Sequence, residues 1–99
     1  MSFQIINSSM FNELKNKEDV LFIDVREDYE YEDNNVGGIN IPLAQINDSL
    51  DSITNHSTIL FCCKSGKRSN AIGYHLNQKF PEKNFYSLKG GLESMQNIA

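Results

Sequence analysis

The stretch Thr58-Ile59-Leu60-Phe61-Cys62-Cys63-Lys64-Ser65-Gly66-Lys67-Arg68-Ser69 changes character at one point. Thr58 to Cys62 is an apolar run of strand length, TILFC, which fits a strand buried on both sides in a parallel sheet covered by helices. Cys63 to Lys67 contains serine and glycine and cannot extend that strand. From Ser69 to Phe80, Ile72, Leu76 and Phe80 recur at helical spacing. The order is strand, tight loop, helix, and Cys63 stands at the junction.

Toward the amino terminus, Val20 to Val25 (VLFIDV) is a second nearly continuous apolar run and predicts another strand buried on both sides. Phe3 to Ile6 predicts a short strand, and Ser8 or Ser9 is placed to cap a helix beginning near Met10, with Met10, Phe11 and Leu14 on one face. Arg26 to Glu32 is charged and compatible with a helix whose inward anchor is Tyr29. Asp33 to Gly38 reads as loop, Ile39 to Pro42 as a short strand stopped by proline, and Asn47 as the cap of a brief helix carrying Leu50 and Ile53. Toward the carboxyl end, Pro81 stops the long helix and Phe85 to Leu88 predicts a strand. Gly90-Gly91 then turns the chain into a last helical piece with Leu92, Met95 and Ile98. Strands alternating with helices in 99 residues predict one α/β domain over residues 1–99 with a small, mostly parallel sheet. In such sheets ligands bind beyond the carboxyl ends of the strands, which is where Cys63 falls.

Composition narrows the function. The formal net charge of -4 argues against a nucleic-acid binder, because phosphate neutralisation needs a net basic face. Acid is concentrated in Glu27 to Asp33, read as a solvated face, whereas Lys64, Lys67 and Arg68 sit together with no carboxylate among them. That contrast points to a small anionic substrate. The apolar run ending at Cys63 is far shorter than a membrane span, and the amino terminus has no basic stretch followed by an apolar one, so the expectation is a soluble, cytoplasmic protein that does not contact membrane. The two cysteines are neighbours, and a disulfide between them would close a strained ring that staples nothing, which fits a reducing compartment.

The loop supplies the chemistry. A chain that passes from a strand end into a helix start aims several free amide N–H groups at its first residue and adds the positive end of the helix dipole. A cysteine thiol at that place ionises more readily than a free one, helped by nearby cations. Gly66 lets the backbone fold back over the sulfur. The same cradle suits the anionic outer sulfur of a persulfide, so Cys63 can accept sulfur, hold it and pass it on. Arg68, with Lys64 and Lys67 as weaker candidates, is expected to attract the donor anion and stabilise a departing sulfite. Neither a metal nor an organic cofactor is required. His56 and His75 lie outside the loop and are read as surface or packing residues, and Cys62 as a small buried apolar group.

Four ordered pieces at matching separations make the chain resemble a rhodanese domain over nearly its whole length. They are Ile23-Asp24-Val25-Arg26 with Glu30-Tyr31, Gly37-Gly38-Ile39-Asn40-Ile41-Pro42, the loop Cys63 to Ser69, and Asn84-Phe85-Tyr86-Ser87-Leu88-Lys89-Gly90-Gly91-Leu92. The variant Tyr29-Glu30-Tyr31-Glu32 with Val36-Gly37-Gly38 and Pro42-Leu43 is most similar to rhodanese domains attached to adenylyltransferases of the molybdopterin and thiamine sulfur-relay pathways. The resemblance implies a three-layer rhodanese-like fold and a thiosulfate-type sulfurtransferase with Cys63 as persulfide carrier. It also implies that the amides of Lys64, Ser65, Gly66, Lys67, Arg68 and Ser69 form the cradle, and that Asp24 and Arg26 order the active-site side. Thiosulfate, a cysteine desulfurase persulfide and a sulfur-carrier protein are all compatible as donor or acceptor. Asn34 and Met95 depart from the pattern, standing where many members have histidine and tryptophan.

Two other readings stand beside this one. Counted from Cys62, a cysteine, five residues and Arg68 match the phosphate loop of cysteine phosphatases, with the nucleophile one residue earlier and inside the strand. A rhodanese fold can also serve as a binding module without catalysis.

Overall fold

A computed structural model describes residues 2–96. Five strands form one wholly parallel sheet in the order β1-β5-β4-β2-β3: β1 Ser2–Ile6, β2 Val20–Asp24, β3 Ile39–Asn40, β4 Thr58–Cys62 and β5 Asn84–Leu88. Between them lie α1 Ser8–Leu14, α2 Asp28–Asp33, a 3-10 turn over Leu43–Ser49 leading into α3 Leu50–Thr54, α4 Lys67–Lys79 and, after β5, α5 Glu93–Gln96. The expected three-layer α/β arrangement is therefore present, with the sheet in the middle.

Side chains on a strand alternate between its faces, and β4 sorts the core accordingly. Ile59, Phe61 and Cys63 join Ile23, Val25 and Phe85 in one buried cluster, closed by Ile46, Ile53, Ile72 and Leu76 from the 3-10 turn, α3 and α4. Leu60 and Cys62 join Ile6, Phe22 and Leu88 in the other, closed by Phe11 of α1 and by Leu92. Phe61 and Phe85 stack with centroids 6.2 Å apart on the first face, and Phe11 meets Phe22 edge to face on the second. The adjacent cysteines thus sit on opposite sides of the sheet, and both are free and buried.

Several local expectations are corrected. The cap of α1 is Asn7, whose Oδ1 accepts the Met10 N–H at 2.9 Å, so the helix starts earlier than a serine cap would allow and Met10 is left exposed. Tyr29 is 69% exposed and anchors nothing; the inward contacts of α2 come from Glu30 and from Tyr31, whose hydroxyl donates to the Gly38 carbonyl. Asn47 lies inside the 3-10 turn, and α3 begins after Ser49 with no side-chain cap. The third strand is only Ile39–Asn40, because Pro42 lacks an N–H and the chain bends there into the turn. The long helix starts at Lys67 rather than Ser69. His56 is half-buried, with Nδ1 3.0 Å from the Ser52 carbonyl, and His75 is exposed. Ile98 lies outside the described residues. Among the described residues no helix is long and apolar enough to cross a membrane.

Phe61 is fully buried at the middle of the sheet. Phe61→Ala is expected to destabilise the domain by about 3–5 kcal/mol, read from the shift of the urea unfolding midpoint, a large part of the about 5–15 kcal/mol typical of such domains.

Candidate functional site

Because every strand runs the same way, their carboxyl ends meet at one edge of the sheet, and the residues singled out from sequence gather there. Asp24 ends β2 opposite Cys62 of β4, and the Val25 N–H donates to the Cys62 carbonyl at 3.0 Å. Cys63 follows directly, and Cys63 to Gly66 forms the loop into α4.

The loop closes tightly because Gly66 takes φ +96°, a left-handed conformation open to glycine at little cost, immediately before the first turn of α4. The result is a cradle on the sulfur. The Gly66 N–H points at Cys63 Sγ at 3.1 Å and the Ser69 N–H at 3.4 Å. These are the two amide contacts within hydrogen-bond reach of the thiol among the described residues; those of Lys64, Ser65, Lys67 and Arg68 are not part of the set. Ser69 is itself fixed from β5: its hydroxyl is 2.7 Å from that of Ser87, which lies 2.6 Å from Asn70 Oδ1, all beneath the first turn of α4. Lys64, Ser65 and Lys67 are exposed. Cys63 itself is 0% exposed.

The turn after β5 braces the loop from its other side. The Leu92 N–H donates to the Cys63 carbonyl at 2.8 Å and the Glu93 N–H to the Lys64 carbonyl at 2.9 Å. Gly91 makes this possible, since a Cβ there would lie 2.3 Å from the Lys64 oxygen, and its φ of +66° also favours glycine.

Asp24 and Arg26 support the same edge. Asp24 is fully buried and holds Arg26 through Nη2 at 2.7 Å and Nε at 3.1 Å, while its Oδ1 accepts the Arg26 N–H. The hydrogen bond to Asp24 raises the Arg26 pKa against the opposing effect of burial. Arg26 Nη2 also donates to the Asn34 carbonyl at 2.7 Å, so this chain uses the backbone rather than the side chain of Asn34 for that contact. Asn40 Nδ2 donates to the Asp24 and Arg26 carbonyls and ties the end of β2 to β3.

Arg68 is not free to face incoming anions. It grips Glu30 of α2 in a two-pronged pair, Nη1 to Oε1 at 2.8 Å and Nη2 to Oε2 at 3.2 Å. Glu30 Oε1 also accepts the Glu27 N–H at 2.9 Å, one half of a capping box that starts α2. Arg68 and the Glu27 amide hold the Glu30 carboxyl down at about 2. The hydrogen bonds to Glu30 raise the Arg68 pKa against the opposing effect of burial. Part of the acidic stretch that reads as a solvated face in sequence is therefore the partner of the basic loop.

Two shallow depressions lie beside the loop and share Arg26, Asn34 and Leu92. One, of about 230 Å³, is completed by Glu30, Asp33, Lys64 and Glu93; the other, of about 220 Å³, by Asn35, Val36 and Met95. Met95 is half-buried and packs against the second core cluster. Cys62 belongs to neither the loop nor these depressions: it faces the opposite cluster, and burial, with Asp24 nearby, pushes its thiol well above the ordinary range. A phosphate loop counted from Cys62 therefore has its nucleophile on the wrong face of the sheet. No three His, Cys, Asp or Glu side chains come together to hold a metal ion among the described residues.

A parallel three-layer α/β domain with a cysteine cradled by amides at the carboxyl end of its central strand defines the class. The family model for the rhodanese-like domain matches residues 8–98, and the chain belongs to that family. Solved structures agree on the fold. The reduced Bacillus anthracis CoADR-RHD superposes with a TM-score of 0.80 at 24% identity over 92% of this chain, which spans only 16% of that protein. SSP1007 from Staphylococcus saprophyticus gives 0.75 at 28% identity, covering 92% of this chain and 91% of the other. The human single-domain sulfurtransferase TSTD1 gives 0.72 at 15% identity, covering 95% and 96%. No curated protein matches the chain.

Two outcomes test this geometry. Gly91→Ala is expected to lower stability by roughly 2–4 kcal/mol, measured by urea unfolding, because neither loop backbone nor turn can yield to the added methyl without strain. The Glu30–Arg68 pair should make a pH-dependent contribution to stability. With Glu30 lowered from 4.5 to about 2, the stabilisation is complete above pH 4.5 and is lost as pH falls through about 2. The stability gap between the protein and Glu30→Gln should therefore be widest near neutrality and shrink progressively in acid, followed by denaturant unfolding at a series of pH values.

Proposed function

We propose that this domain is a sulfurtransferase that carries sulfane sulfur on Cys63. The observation that supports the reading is the pair of amides, from Gly66 and Ser69, aimed at Cys63 Sγ. Hydrogen bonds of this kind stabilise negative charge on whichever sulfur occupies the cradle. Family membership and the fold shared with a neighbour named as a single-domain sulfurtransferase lend the same support.

The reaction has two displacements. The Cys63 thiolate attacks the outer sulfur of a donor such as thiosulfate, forming one S–S bond while the donor's S–S bond breaks and sulfite leaves with the electron pair. An acceptor thiolate or cyanide then attacks that outer sulfur and releases Cys63 as the thiolate. A persulfide on a cysteine desulfurase is an equally suitable donor, and a sulfur-carrier protein a suitable acceptor. Lys64 and Lys67 supply positive charge near the loop, and Asp24 with Arg26 holds the edge on which it is built. The reading places the protein in the cytoplasm, where thiols stay reduced.

Incubation with thiosulfate and cyanide should yield thiocyanate. Cys63→Ser should abolish it, and Cys62→Ser should retain most of the rate. Protein purified without reductant should carry the mass of one extra sulfur atom, lost on adding dithiothreitol. Absence of thiocyanate from the folded protein would instead mark a binding module.

A further inference from the structure

The basic residues around the loop are unequally available. Arg26 is spent on Asp24, with both side chains nearly buried, and Arg68 is spent on Glu30 through both of its prongs. Only the exposed Lys64 and Lys67 remain without an ion-pair partner among the described residues. The depression nearest Lys64 also presents Asp33 and Glu93, which have no such partner either. The loop that looks strongly cationic in sequence therefore presents, among the described residues, two unpaired lysines beside two unpaired carboxylates once folded.

Glu30 is the residue that makes this difference. It is fixed independently of Arg68, because its Oε1 also accepts the Glu27 N–H at the start of α2, so the carboxylate is held ready for the guanidinium. A carboxylate matches the planar guanidinium fork as well as an incoming sulfonate or thiosulfonate oxygen pair does, and the two compete for the same donors.

We propose that Glu30 determines donor specificity: by occupying the Arg68 fork it withholds the guanidinium from small dianions, so the site favours donors whose sulfane sulfur is borne on a less charged body. This rests on the sulfur-transfer reading and refines its substrate class. A persulfide on a neutral or cationic surface, or a monoanionic thiosulfonate, meets less repulsion than thiosulfate does. With a thiosulfonate the bonds follow the same course: the Cys63 thiolate takes the outer sulfur, and the sulfinate leaves with the electron pair.

The test compares thiosulfate, a dianion, with benzenethiosulfonate, a monoanion, each with cyanide as acceptor. Glu30→Gln keeps an oxygen for the Glu27 N–H but not the charge. It should lower KM for thiosulfate about tenfold, the equivalent of one charge-assisted contact of about 1.4 kcal/mol, and KM for benzenethiosulfonate by about threefold. Adding Arg68→Gln should return both values to within about twofold of the original, since the gain belongs to the freed guanidinium. Arg68→Gln alone should raise the thiosulfate KM, and raise it more than that for benzenethiosulfonate, because it leaves the Glu30 carboxylate unpaired beside the loop.

A thiosulfate KM that is unchanged or raised in Glu30→Gln overturns the proposal. So does a lowered KM that survives in Glu30→Gln/Arg68→Gln, or a lowered thiosulfate KM in Arg68→Gln alone. Thiosulfate binding to Cys63→Ser, with and without Glu30→Gln, gives a readout that needs no turnover. Tighter binding in Cys63→Ser/Glu30→Gln than in Cys63→Ser, with no thiocyanate from the unmodified protein, would defeat the sulfur-transfer reading and leave the role of Glu30 standing. Equal binding would defeat the role of Glu30.

Discussion

The site depends on a contact between two stretches of backbone. Residues 63 and 64 pass so close to the turn after β5 that no side chain fits between them, and two main-chain hydrogen bonds, from Leu92 and Glu93, fill the gap. Peptide groups buried without partners are costly, so this pairing fixes where the loop can lie. With the Cys63 and Lys64 carbonyls committed to the turn, the amides of Gly66 and Ser69 are turned toward the sulfur. The parallel register of β4 and β5 brings the two stretches together, and the glycine at residue 91 allows them to meet.

Charge arranges the rim of the same edge. Asp24 is buried with Arg26, and an ion pair taken out of water holds only when its geometry is good and its other polar atoms are satisfied. That condition is met here by the Asn34 carbonyl, which accepts from the guanidinium, and by Asn40, which ties down the neighbouring carbonyls. Glu30 and Arg68, less buried, join α2 to α4 across the loop. The first pair lies at the end of β2 and the second links α2 to α4, so three stretches of chain make up the rim.

Much of this was legible in the sequence. The TILFC and VLFID runs marked the central strands, because strands covered on both faces must be apolar throughout, and the break after Cys62 marked the loop. The pairing of Asp24 with Arg26 and the burial of Cys62 were also readable, from a carboxylate at a strand end and a thiol inside an apolar run. What could not be read was which partner each side chain would choose at long range. Arg68 and Glu30 are 38 residues apart, and nothing local distinguishes Glu30 from the other acids around it, apart from its spacing to Glu27. Ser87 and Asn70 escaped notice for the same reason: small polar residues reveal a role only when a strand and a helix bring them together. Tyr29 misled because a large aromatic in a charged helix suggests an anchor, whereas the facing of α2 was decided by Glu30 and Tyr31.

Cys63 has no accessible surface. A reagent therefore meets its sulfur only in the fraction of molecules whose cover has opened, and that opening equilibrium multiplies into every rate at the thiol, whether of a productive donor or of a stray oxidant. A partner able to bind the opened form and hold it gains over one that waits for chance exposure. The closed cover thus slows the access of any reagent in bulk solution to the Cys63 thiol.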